Sequence, residues 1–103
     1  MNYTSYQFFT VIANETRWQI INSLYEKDLC VSDISNITKI EQSKISHALK
    51  TLYDCNIVFS KREGKKIIYS LNKKTIKPIL KILNDHQTDF CKGKCKICKI
   101  KRK

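Results

Sequence analysis

The stretch Gln42-Ser43-Lys44-Ile45-Ser46-His47-Ala48-Leu49-Lys50-Thr51-Leu52 decides the fold. Ile45, Ala48, Leu49 and Leu52 recur at the three- and four-residue spacing that sets them along one side of a helix, and Ser43, Ser46, His47 and Lys50 share the opposite side. The spacing predicts a helix over Gln42 to Asp54. Just upstream, Val31, Ile34 and Ile37 recur every three residues through Thr38, which predicts a helix of about two turns. Only Lys39 to Glu41 separates the two, and helices joined by so short a turn form a helix-turn-helix. Its second helix presents hydroxyl, imidazole and ammonium groups on its outer face.

Outward from this pair, the pattern stays mostly helical. Tyr6 to Ala13 carries Phe8, Phe9, Val11 and Ile12, a short helix with more apolar surface than a small monomer needs. Asn14 then offers a cap to a core helix over Thr16 to Lys27, with Trp18, Ile21, Leu24 and Tyr25 on one face. On the other side, Ile57 to Lys61 and Lys66 to Leu71 are rich in β-branched and aromatic residues and flank Arg62-Glu63-Gly64-Lys65, which predicts a β-hairpin with a basic tip. From Thr75 onward, Ile76, Ile79, Leu80 and Leu83 mark a last helix, and Pro78 is tolerated in its first turn. The expected architecture is mainly α with a β-hairpin wing, a winged helix-turn-helix over residues 1–90. Residues 91–103 form a basic, cysteine-rich tail, with six lysines, one arginine and three cysteines.

A chain of 103 residues has room for one modest core. With 20 Lys and Arg against 9 Asp and Glu, the formal charge is +11, so polyanions are the natural partners. Charge alone does not separate DNA from RNA or an anionic membrane. No apolar run approaches the ~20 residues of a membrane span and no secretory leader pattern stands at the start, so the expectation is a soluble, cytoplasmic, nucleoid-associated protein without a membrane partner. Five cysteines, an odd number without secretory context, favour metal or redox chemistry over a disulfide scaffold. Enzymatic function is disfavoured: there is no glycine-rich phosphate loop, the two histidines fall in different elements, and no cysteine has a histidine partner in sequence.

The order helix, helix, helix-turn-helix, two-stranded wing, helix resembles the ArsR/SmtB family of metal-responsive repressors. Asn14-Glu15-Thr16-Arg17 is similar to the family's opening of the second helix, and Asp28-Leu29-Cys30-Val31-Ser32-Asp33-Ile34 to its Glu-Leu-Cys-Val-Cys-Asp-Leu signature. Gln42 to Leu52 looks like the recognition helix, and Arg62-Glu63-Gly64-Lys65-Lys66 with Tyr69-Ser70-Leu71 looks like the wing. The resemblance covers roughly residues 8 to 90. It implies a homodimer joined through the first and last helices, reading a palindromic operator in double-stranded DNA as a repressor. In that arrangement Ser43, Lys44, Ser46, His47 and Lys50 face the major groove, and Arg62, Lys65 and Lys66 hold the flanking backbone. A second histidine common in the family is replaced here by Ala48.

For the signal, the resemblance points to a thiophilic metal or metalloid (zinc, cadmium, lead or arsenite), but the best-known sites are incomplete. Cys30 has Ser32 where the arsenic-type site needs a second thiol, and Cys30 also reads as a small buried hydrophobe. His86 and Asp89 match one pair of the zinc-type site, whereas the other pair falls on Lys73 and Thr75, which are not ligands. The cysteines left are Cys91, Cys95 and Cys98, with Cys30 and Cys55 as further ligands, since soft ions favour thiolates. A helix continuing through Cys98 would hold the outer pair about 10 Å apart, too far for one ion with ~2.3 Å bonds to sulfur. Thiol redox or persulfide sensing by lysine-flanked cysteines is an alternative, as is a constitutive architectural protein for which the charge alone suffices.

Overall fold

A computed structural model describes residues 3–91, which divide after Asn72 into two compact units. The first begins with α1 (Tyr3–Ile12) and α2 (Glu15–Glu26). Asn14 sits in extended backbone between them and its Oδ1 accepts from the Arg17 backbone N–H at 3.0 Å, the cap expected of that side chain. Of α2, Ile20, Ile21 and Leu24 are buried; Trp18 and Tyr25, expected on the core face, are only half-buried.

A two-residue strand, β1 (Leu29–Cys30), leads directly into α3 (Val31–Thr38). Lys39 closes α3 in the left-handed region at φ 64, where its N–H donates to Ser35 O at 2.8 Å. Ser35 Oγ donates to Ile40 O and Thr38 Oγ1 to Ile34 O, so the short turn satisfies its own backbone carbonyls. The chain re-enters helix at α4 (Gln42–Asp54), with Ile45, Ala48, Leu49 and Leu52 buried as predicted.

The wing follows as β2 (Val58–Glu63) and β3 (Lys66–Leu71). Pairing runs from Val58↔Leu71 to Glu63↔Lys66, so Arg62 and Glu63, expected in the turn, are strand residues and only Gly64 and Lys65 turn. Gly64 takes φ +64, the positive value a two-residue hairpin turn needs at its first position. The wing is three-stranded rather than two-stranded, because β1 pairs antiparallel with β3 through Leu29↔Tyr69 and Cys30↔Ile68.

The core of this unit is aliphatic: Ile20, Ile21, Ile34, Ile45, Leu49, Leu52, Ile57 and Val58 have no exposed surface. Burying a side chain of this size stabilises by about 1.5–3 kcal/mol, so one layer of α2, α3, α4 and the strand roots fixes the outward face of α4.

The second unit holds α5 (Ile76–His86), continued by one π-helical turn over Gln87–Cys91. Ile76 and Leu80 are its buried positions, while Ile82, Leu83 and Phe90 are exposed. Lys81 pairs with Asp85 at 3.2 Å and the His86 and Phe90 rings lie 5.3 Å apart.

Candidate nucleic-acid interface

The buried row of α4 leaves Ser43, Lys44, Ser46, His47 and Lys50 exposed on its other side, all five residues that the sequence assigned to a groove-facing surface. Ser43 Oγ donates to Glu41 Oε1 at 3.1 Å, and Lys50 Nζ pairs with Asp54 at 3.2 Å, one helical turn on. Both partners of that pair are well exposed, and such a pair contributes a few tenths of a kcal/mol, so a phosphate competes with it readily.

Two open clefts flank α4. One, of about 260 Å³, runs between α4 and the strands, lined by Ser46, Leu49, Lys50, Tyr53 and Asp54 on the helix and Ser60 and Tyr69 on the sheet. The other, of about 280 Å³, lies between the starts of α2 and α4, with Asn14, Thr16 and Arg17 facing Ser43, Lys44, His47 and Ala48. Tyr53 and Ser60 were not singled out in the sequence, and Thr16, Arg17 and Tyr69 stood there only as motif residues with no role assigned; the clefts they line arise only once elements pack.

Wing register sorts its four cations, Lys61, Arg62, Lys65 and Lys66. Paired residues share a face and faces alternate along a strand. Ser60 with Tyr69 and Arg62 with Ile67 therefore lie on the face turned toward α4, and Lys61 with Ile68 and Glu63 with Lys66 on the reverse. By register Arg62 shares the strand face of Ser60, and its Nη1 donates to Gly64 O at 3.4 Å; Lys66 falls on the reverse face, paired with Glu63, and Lys65 is at the tip.

The thiols do not assemble into one site among the described residues, where no group of three or more His, Cys, Asp and Glu converges. Cys30 is 5% exposed, its Sγ donating to Asp33 Oδ2 at 3.3 Å and lying 3.6 Å from Ser32 Oγ. One thiol with a hydroxyl and a carboxylate is an incomplete set for a soft ion. Cys55 is exposed at the end of α4, and Cys91 is half-buried in the π-helical turn. Cys95 and Cys98 lie outside the described residues, as do the lysines of the tail.

An aliphatic core, a helix-turn-helix with a polar second helix and an antiparallel wing define a winged helix-turn-helix fold. Residues 14–60 match the model of the bacterial regulatory proteins of the arsR family. The chain is 32% identical over 75 residues to the arsenical resistance operon repressor of Bacillus subtilis, covering 72% of this chain and 71% of the relative. It is 35% identical over 78 residues to the cadmium resistance regulatory protein CadC of Listeria innocua, covering 75% of this chain but 60% of the relative's own length. Among solved structures, HlyU from Vibrio cholerae superposes with a TM-score of 0.73 at 26% identity, covering 88% of this chain and 99% of that one. The chain belongs to the arsR family of bacterial regulatory proteins.

Proposed function

We propose that this chain is a transcriptional repressor that binds a palindromic operator in double-stranded DNA as a homodimer, with its DNA affinity set by a thiophilic metal or metalloid held on cysteines. The observation that carries the DNA half is the exposed polar row of α4, flanked by the wing face that carries Ser60, Tyr69 and, by register, Arg62. A major groove about 12 Å wide admits one helix. Ser46 and His47, midway along α4, are placed to meet base edges, and Lys44, Lys50, Arg62 and Lys65 to meet the phosphates on either side. In a homodimer the two α4 helices address half-sites about one turn, roughly 34 Å, apart.

The apolar surface of α1 supports the dimer: Tyr3, Tyr6 and Phe9 are 69%, 60% and 60% exposed, and they recur every three residues along one helix. On α5, Ile82 and Leu83 are exposed as well. For the signal, the named roles of the B. subtilis and Listeria relatives in arsenical and cadmium resistance support a soft ion. Cys30, Cys55 and Cys91 alone lack a complete ligand set among the described residues, so this reading draws on Cys95 and Cys98. The chemistry such an ion supplies is a bond to thiolate sulfur, which costs each thiol its proton.

The experiment is a fluorescence-anisotropy titration of the full chain on a duplex from its own upstream region, with and without zinc, cadmium, lead and arsenite, and with peroxide as a control. The reading expects at least a tenfold change in affinity with one of the ions, lost when Cys91, Cys95 and Cys98 are replaced by Ser. Affinity untouched by every ion contradicts the metal half; a response to peroxide alone replaces it with redox sensing.

A further inference from the structure

We infer that the cleft between the starts of α2 and α4 is a DNA backbone-phosphate site in which Arg17, a residue outside the helix-turn-helix, is a binding residue. This rests on the DNA-binding reading above and extends its footprint to a second element. The two clefts beside α4 differ in charge. Between α4 and the wing, Lys50 is matched by Asp54, so that cleft is nearly neutral. Between α2 and α4, Arg17 and Lys44 are joined by Thr16, Ser43 and His47, and no carboxylate is among the described residues that line it. Cations, hydroxyls and an imidazole around an open cleft of about 280 Å³ are a donor set that suits a phosphodiester.

Arg17 suits this role because it is already held. Its Nη1 donates to Val11 O at 3.1 Å, and its backbone N–H is the one that Asn14 caps. A guanidinium has five donors in a rigid fork, so one bond to the backbone fixes its direction and leaves the rest for a phosphate. Lys44 and His47 bring the cleft into register with the groove. They lie on the same α4 face as Ser43 and Ser46, so a helix seated in the major groove carries the cleft onto the phosphates of one bordering strand.

The test is the salt dependence of affinity, measured for wild type, Arg17→Gln, Arg17→Lys and Thr16→Asp on the upstream duplex and on a scrambled duplex of equal length. Arg17→Gln is expected to weaken both duplexes by the same factor, roughly fivefold at 0.15 M salt, and to reduce the slope of log K against log salt by about 1. Arg17→Lys should retain the slope. Thr16→Asp guards against misfolding, since a carboxylate in the first turn of α2 favours the helix while placing a negative charge in the cleft; it should weaken binding with no loss of thermal stability. A full wild-type slope in Arg17→Gln, or unchanged affinity in Thr16→Asp, overturns the phosphate site while the DNA-binding reading stands. Failure of the wild-type chain to bind either duplex overturns both.

Discussion

At the scale of single residues, a register of one sets which face of the wing each cation occupies. Arg62 and Lys66 are both cations of one hairpin, but pairing places Arg62 on the face turned to α4 and Lys66 on the reverse beside Glu63. The expected outcome is that Arg62→Ala lowers DNA affinity roughly fivefold and reduces the salt slope by about 1, while Lys66→Ala changes both by less than half as much. Anisotropy titrations at three salt concentrations check it, and equal effects contradict the facing assignment. Lys39 is the other telling residue: a lysine at φ 64 occupies a region that costs a non-glycine residue about 1–2 kcal/mol, and the helix-turn-helix bend is obtained with that residue in place.

At the scale of elements, α4 is a helix with two separable duties. Leu49 has no exposed surface, so Leu49→Ala should cost about 2–5 kcal/mol, read as a fall in the midpoint of urea unfolding. A loss below ~1 kcal/mol contradicts the packing described. This duty was legible in the sequence, because Ile45, Ala48, Leu49 and Leu52 recur with a helical period and every one is buried. The Asn14 cap and the short turn after Thr38 were legible for the same local reasons. β1 was not, since two residues carry no period and its partners Tyr69 and Ile68 are distant in sequence. Nor were the strand ends, where Arg62 and Glu63 have turn-like polarity but are paired in the ladder. Of the residues proposed to face DNA, those on α4 follow from periodicity, whereas the split of the wing cations and the proposed Arg17 cleft depend on packing between elements. The residues proposed to receive the signal were legible only as a choice of sulfur.

At the scale of the whole molecule, 20 cationic against 9 acidic residues suit a polyanion, and the apolar stripe of α1 suits a second copy. Phe9, 60% exposed, is the point to break it. Phe9→Glu should sediment as a monomer at concentrations where the wild type is a dimer, and should bind a palindromic duplex about a hundredfold more weakly, through loss of the paired half-site. A wild-type chain that sediments as a monomer contradicts the homodimer.

Sequence reading by the exposed face of α4 is the central claim, and discrimination between duplexes tests it most directly. Affinity is to be measured for the upstream duplex and its scrambled counterpart with the wild-type chain and with Ser46→Ala and His47→Ala together. Those side chains are exposed, so the variant should keep wild-type stability to within about 0.5 kcal/mol. The account predicts that the wild type prefers the upstream duplex by a factor of about a thousand or more. It predicts that the variant loses at least tenfold of that preference while binding scrambled DNA as before. Equal affinity of the wild type for both duplexes, or a variant that keeps full preference, would contradict it.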